Sequence, residues 1–186
     1  TAIGRSTTGS GDYSTAMGGY TTASGYISTA MGFDTTASGI YSTAMGRGSE
    51  ANGLDSTAMG YYTTASGDAS IAMGDNSIAS GNQSKAMGYN SVASGAFSTS
   101  MGGHTTAEDY LSTAVGVHNK TDETPNPENF SYQNTAFVIG NGGFDSQGNY
   151  VGTSDTFSNA FEVLFDGTTT IAGDLSINSD ARLKAN

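Results

Sequence analysis

The pentapeptide Ser-Thr-Ala-Met-Gly recurs at residues 14–18, 28–32, 42–46 and 56–60, and this spacing of fourteen limits what the chain can fold into more than any other feature. Variants hold the phase at 70–74 (Ser-Ile-Ala-Met-Gly), 84–88 (Ser-Lys-Ala-Met-Gly), 98–102 (Ser-Thr-Ser-Met-Gly) and 112–116 (Ser-Thr-Ala-Val-Gly). All 7 methionines, Met17, Met31, Met45, Met59, Met73, Met87 and Met101, occupy one repeat position. Half a period later comes Thr-Thr-Ala-Ser-Gly at 21–25, 35–39 and 63–67, with relatives at 49–53, 77–81 and 91–95. The next copy, Thr105-Thr106-Ala107-Glu108-Asp109, has Asp in place of Gly, and the array ends near Val117.

A period of seven also describes coiled coils, but a glycine in every heptad costs each helix about 1 kcal/mol relative to Ala, and the Ser and Thr around it are poor helix formers. Short β-branched runs between Gly turns suit strands instead. The pattern therefore predicts an all-β fold, a parallel β-roll of fourteen-residue coils. Each coil should hold two strands of about five residues joined by two-residue turns. Alternation along a strand puts Ala16 and its equivalents on the face opposite Thr15 and Met17, and a coil this thin has room inside only for Ala, Ser or Gly. The methionines then form an outward apolar ridge, which calls for a partner chain. At roughly 4.8 Å per coil the array is a rod about 40 Å tall. Its turns carry the sequence variation, including Tyr20, Tyr26, Phe33, Tyr41, Tyr61, Tyr62, Tyr89 and Phe97. Tyr20, Tyr26, Phe33, Tyr41, Tyr61, Tyr62 and Tyr89 are the candidate surface contacts, with glycan stacking weighed against packing between neighbouring coils or chains.

Composition narrows the function classes. Only 35% of residues are hydrophobic, there are 27 glycines, and tryptophan and cysteine are absent, so neither a conventional core nor a disulfide framework is available. A net charge of -11, with 6 scattered basic residues, excludes a row of phosphate contacts and hence a nucleic-acid partner. No stretch approaches the roughly 20 apolar residues of a spanning helix, so no membrane insertion is expected of this segment. The chain opens in the middle of a repeat and reads as a fragment. No cofactor is implied. His104 and His118, fourteen apart, should sit on successive coils, and Asp12, Asp34, Asp55, Asp68 and Asp75 fall in turns, where Asp is common for backbone reasons, so no metal site is assigned.

On these motifs residues 1–117 resemble the head repeats of trimeric autotransporter adhesins, and Ser91-Val92-Ala93-Ser94-Gly95 lies close to that family's Ser-Val-Ala-Ile-Gly. The resemblance implies a homotrimeric, left-handed parallel β-roll, with Met standing where the family usually has Ile or Val. The C-terminal part is similar to something different. Phe137 to Gly142, Ser158 to Leu164 and the closing Ser179-Asp180-Ala181-Arg182-Leu183-Lys184 resemble the stem and cleavage motif of endosialidase-type tail spikes and fibres, which a C-terminal intramolecular chaperone assembles and then leaves by autoproteolysis. By that match Ser179 is the nucleophile and Lys184 the base of self-cleavage, a role a serine and lysine five apart would not suggest alone.

The resulting division is a β-roll over 1–117, a polar, Pro-bearing neck over 118–134 expected to be extended, a β-hairpin stem over 135–178 and the start of the cleavage motif over 179–186. Within the stem, turns are expected at Asp166-Gly167 and Gly173-Asp174, and a Gly- and Asn-rich loop over 140–152. The function these features imply is a structural and adhesive trimeric fibre segment, extracellular, carried on the tail of a phage or phage-like particle or on a bacterial cell surface, and engaging a host receptor, glycan or protein. It is not an enzyme apart from the self-cleavage. Two other readings are an ice-binding solenoid, prompted by the Thr pairs at 21–22, 35–36, 63–64 and 105–106 but interrupted at Glu50 and Ile78, and a glycan-cleaving spike, for which no pair of carboxylates across a groove stands out.

Overall fold

The computed structural model describes residues 1–121, 124–143 and 157–172. Every regular element among them is a strand. Each fourteen-residue coil contributes one long and one short strand. The long ones are Ala2–Arg5, Thr15–Gly19, Thr29–Phe33, Thr43–Arg47, Thr57–Tyr61, Ile71–Asp75, Lys85–Tyr89, Thr99–Gly103 and Thr113–Val117. The short ones are Thr8–Gly9, Thr22–Ala23, Thr36–Ala37, Glu50–Ala51, Thr64–Ala65, Ile78–Ala79, Val92–Ala93 and Thr106–Ala107. The two half-repeats are therefore unequal, where the sequence pattern predicts strands of similar length. The strand of the Thr-Thr-Ala-Ser-Gly half is cut to two residues.

Long strands pair in parallel with long, and short with short, always in register, so that Ala30 lies over Ala16 and Met31 over Met17. The short strands form an 8-stranded sheet, and the long ones belong to a 12-stranded sheet that three further strands complete. Thr135–Asn141 continues the long-strand stack in parallel, placing Val138 over Ala114 and Gly140 over Gly116. Asn159–Leu164 and Thr169–Ile171 then add in antiparallel fashion, with the Asp166-Gly167 turn between them. Gly140 and Asn141 lie in a strand rather than in the predicted loop, most of which, with the Gly173-Asp174 turn, Ser179 and Lys184, lies outside the described residues.

Between the sheets the interior has two side-chain positions in every seven. One is Ala, from Ala16 to Ala114, fully buried at each coil but the one where Ser100 replaces it. The other is Ser or Thr, as at Ser14, Thr21, Ser28 and Thr35, also buried. Some of these hydroxyls donate to carbonyls, Ser77 to Gly88 O at 2.9 Å and Ser42 to Gly39 O at 2.7 Å, while the Ser56 and Ser70 hydroxyls have no partner. So small a core buries little apolar area, and the long unbroken hydrogen-bond ladders must carry much of the stability.

The repeating glycines explain how coils come this close. A Cβ on Gly60 would lie 2.0 Å from the carbonyl oxygen of Gly74 in the next coil, and one on Gly67 would lie 2.1 Å from that of Gly81. Gly60 also has φ 137, a conformation other residues rarely adopt. Both glycines of a coil are therefore required by the coil stacked on them.

The segment after Val117 does not run away from the rod as an extended neck would. Ala96 N–H donates to Pro127 O at 2.8 Å and Tyr110 N–H to Asn126 O at 3.0 Å, so the chain folds back over the last two coils.

Three substitutions separate these effects. Gly60→Ala should cost at least about 3 kcal/mol, since backbone overlap has no side chain able to move aside. Ala58→Val should cost about 1–3 kcal/mol by overpacking. Ser56→Ala, which removes a buried hydroxyl without a partner, should change stability by less than about 1 kcal/mol or raise it. Urea unfolding followed by far-UV circular dichroism measures all three.

Candidate interaction surface

The outer face of the long-strand sheet carries the methionines. Pairing register stacks Ile3, Met17, Met31, Met45, Met59, Met73, Met87, Met101, Val115 and Ile139 in one line along the whole roll. Met17 and Met101 are 37% and 39% exposed, and the methionines between them are partly covered by one another. The line is continuous because register is enforced by the glycine contacts, so each methionine meets its copy one rung away. Sequence reasoning predicted the seven methionines; it missed that Ile3, Val115 and Ile139 extend the line beyond them, although Ile3 and Val115 sit at the same repeat position.

The opposite face, on the short-strand sheet, carries no methionine and is mostly Thr. Thr22, Thr36, Glu50, Thr64, Ile78, Val92 and Thr106 stack in one rank. The Thr pairs considered as an ice lattice do not form one, because Thr21, Thr35, Thr63 and Thr105 point into the core and are fully buried. Only the second Thr of each pair faces outward, in a rank that Glu50, Ile78 and Val92 break.

The turns make two edges. At every seventh residue from Ser6 to His118 the backbone is left-handed, with φ between 45 and 64, and only Gly48 among these positions is glycine. From Tyr20 to His118 each such N–H bonds to the preceding coil, as from Tyr20 to Arg5 O at 2.9 Å and from Tyr62 to Arg47 O at 2.8 Å. The turn is thereby locked into the ladder and its side chain is thrown outward. Holding a side chain at this φ costs about 1 kcal/mol or more relative to Gly, and the cost is highest for β-branched Ile27.

On the edge after the long strands, the Tyr20 and Phe33 rings lie 5.5 Å apart, edge to face, with the Arg5 guanidinium 5.5 Å from Tyr20. Arg47 bridges Phe33 and Tyr61 at 5.9 and 5.5 Å, and Tyr61 meets Tyr62 at 4.6 Å. Farther up, Tyr89 packs on His104, and His104 stacks on His118 at 4.3 Å with the rings nearly parallel. The opposite edge carries Tyr13, Tyr26 and Tyr41 in sequence, at 5.9 and 5.8 Å, and then Phe97 with Tyr110. The candidate contact residues thus divide between two edges, Tyr20, Phe33, Tyr61, Tyr62 and Tyr89 on one and Tyr26 and Tyr41 on the other. All contact a neighbouring ring, from the next coil except for the adjacent pair Tyr61 and Tyr62, and still remain more than 40% exposed. Tyr13, at 81%, was missed by the sequence reading despite standing two coils below Tyr41 at the same repeat position. Arg5 and Arg47, which meet these rings from the ends of long strands, were missed too, since a lone Arg carries no signal of its own.

His104 and His118 are stacked as their spacing predicts, but among the described residues no group of three His, Asp or Glu side chains could hold a metal ion. His118 is 1% exposed, lying between His104 and Phe157, with Gly143 packed so close that a Cβ there would sit 2.4 Å from the imidazole. Burial, and next the neighbouring His104, hold its pKa below the ordinary histidine range. On the hairpin turn, the N–H of Thr168 bonded to Asp166 lowers that carboxyl's pKa.

The profile of the YadA head domain repeat (2 copies) matches residues 1–21, 10–26, 23–49, 51–77 and 79–105, more than half of the chain. No curated protein shows a significant match.

His118 sets a pH dependence. Because its pKa is depressed in the fold, the unfolded chain takes up the proton first as pH falls below about 6.5, and stability is lost from there down to the folded-state value. The urea midpoint should therefore drop between pH 7.5 and pH 5, above the range in which ordinary carboxylates titrate. His118→Phe, which keeps an aromatic ring in the stack, should flatten that difference; an unchanged pH slope in this variant would show that another group is responsible.

Proposed function

The chain belongs to the YadA head domain repeat family, and on that premise we propose that it is the β-roll head of an extracellular adhesin whose working form is a homotrimer. The observation that carries this reading is the unbroken apolar line from Ile3 to Ile139 on one face, which the Thr rank on the face behind it, interrupted by Glu50, Ile78 and Val92, does not match. A line of half-exposed methionines about 40 Å long is an unusual surface for a chain that stays alone. Three rolls around one axis would cover it, and three is the number that the head-repeat resemblance implies. The polar face and edges then point away from the axis, with Tyr, Phe and Arg presented on a rigid scaffold to a host-surface glycan or protein. The roll contributes shape and spacing; its variable turns supply recognition.

A second reading keeps the trimer and places it on the tail of a phage or phage-like particle. What favours it is the Ser179-Asp180-Ala181-Arg182-Leu183-Lys184 motif, with Ser179 as nucleophile and Lys184 as base for release of a downstream chaperone. Both readings share the same roll and differ in what the C-terminal end does.

Light scattering on the purified chain should give three times the chain mass. The double substitution Met59→Lys and Met73→Lys, in the middle of the line, should shift it to monomer at micromolar concentration while leaving the strand signal in circular dichroism unchanged. A folded monomer in the unsubstituted chain would end the trimer reading. For the tail-fibre branch, a longer form carrying the downstream region should be cut next to Ser179, and Ser179→Ala should abolish the cut; an intact product with Ser179 in place would leave the adhesin head alone.

A further inference from the structure

We infer that Asn119, together with Asp109, is an edge cap that ends the short-strand sheet and prevents a second copy of this chain from extending it. Along the array the N–H of each short strand's first residue donates to the carbonyl thirteen residues on: Thr64 to Ser77 O at 2.9 Å, Ile78 to Ser91 O at 2.8 Å, Val92 to Thr105 O at 2.8 Å. The next bond in that series would join Thr106 N–H to the carbonyl of residue 119. Thr106 N–H does bond to Asn119, but to the side-chain Oδ1, at 2.7 Å. The same carboxamide turns its Nδ2 onto Thr106 O at 2.9 Å. One side chain thus supplies both the acceptor and the donor that a ninth short strand would have offered, and Asn119 is itself 3% exposed.

Asp109 completes the cap. It stands where lower coils have Gly25, Gly39, Gly53, Gly67, Gly81 and Gly95, each barred from bearing a Cβ by the coil above. No coil is stacked on Asp109, so a side chain fits, and its carboxylate accepts Asn126 N–H at 2.7 Å and Thr135 N–H at 2.8 Å. These bonds hold the returning segment across the end of the roll. An uncapped end would present two free backbone groups on a flat in-register strand, the geometry that templates pairing with another chain. The occupant most suited to that edge is a second copy of this chain, whose short strands already pair in this register.

The test uses the whole chain with Asn119→Ala and Asp109→Gly, the latter restoring the residue of the lower coils. Hydrogen exchange at Thr106 N–H should match that at Val92 N–H in the unsubstituted chain and accelerate at least about tenfold in the variant, the factor expected from two lost hydrogen bonds. Sedimentation velocity should show one species at all concentrations for the unsubstituted chain, and for the variant species at integer multiples of that mass which grow with concentration. Asn119→Ala alone, which removes both side-chain bonds to Thr106 and leaves Asp109 in place, serves as the milder change if the double variant does not fold, and it too should accelerate exchange at Thr106 and associate. A folded variant with an exposed Thr106 amide and unchanged mass would overturn the blocking role. A Thr106 amide that exchanges in the unsubstituted chain as fast as a solvated turn would overturn the pairing itself.

Discussion

In this roll a carbonyl oxygen of one coil stands where the Cβ of the glycine beneath it would be. That contact recurs twice per coil, at Gly60 under Gly74 and at Gly67 under Gly81, and the architecture depends on it. It brings successive coils to ladder spacing without offset, and it makes every strand lie in register on its predecessor. In-register stacking turns each repeat position into a column. Alanines become a core, methionines a ridge and turn residues two edges. Any column of larger interior side chains would push the sheets apart, so the interior is restricted to Ala, Ser and Thr, and all bulk is expelled to the outside.

That expulsion is what makes the outside informative. The left-handed residue at every seventh position could be glycine throughout on conformational grounds, yet Tyr, Phe, Ile, Leu and His occupy it. Rings there such as Tyr20 and Tyr41 stack on neighbours one coil away and remain 44% and 49% exposed, whereas His118 at the end of the series is buried. The two broad faces differ in a way no stacking rule requires: the long-strand face sets a methionine column beside a mostly Thr column that includes Ile71 and Lys85, and the short-strand face carries Thr, Glu50, Ile78 and Val92 without a methionine. Membership in the YadA head-repeat family accounts for the roll.

Repetition alone has no means of stopping, so the end of the roll is built from departures from the repeat. Asp109 replaces a glycine, Val138 takes the interior place of an alanine with 3% exposure, and the Asn119 carboxamide replaces a strand backbone. Each would be harmful one coil earlier, where another coil must stack above. The long-strand sheet continues through Thr135–Asn141 and changes to antiparallel pairing, while the short-strand sheet ends, so the chain passes from solenoid to hairpin on one side only.

The period and residue types determined the all-β roll, the fourteen-residue coil, the inward Ala and the outward Met. They did so because a local pattern repeated in phase is both the local and the global instruction: each coil's neighbour is its own copy, and the register follows from the period. What only the tertiary structure decided lies where that identity fails. The bridging of Phe33 and Tyr61 by Arg47 and the return of residues 124–135 over the last coils depend on contacts between unlike residues or segments. Asn119 is the plainest case. In the sequence it is one polar residue of a connector, and its meaning comes from the N–H and C=O of Thr106, which no further short strand covers and which its carboxamide pairs instead.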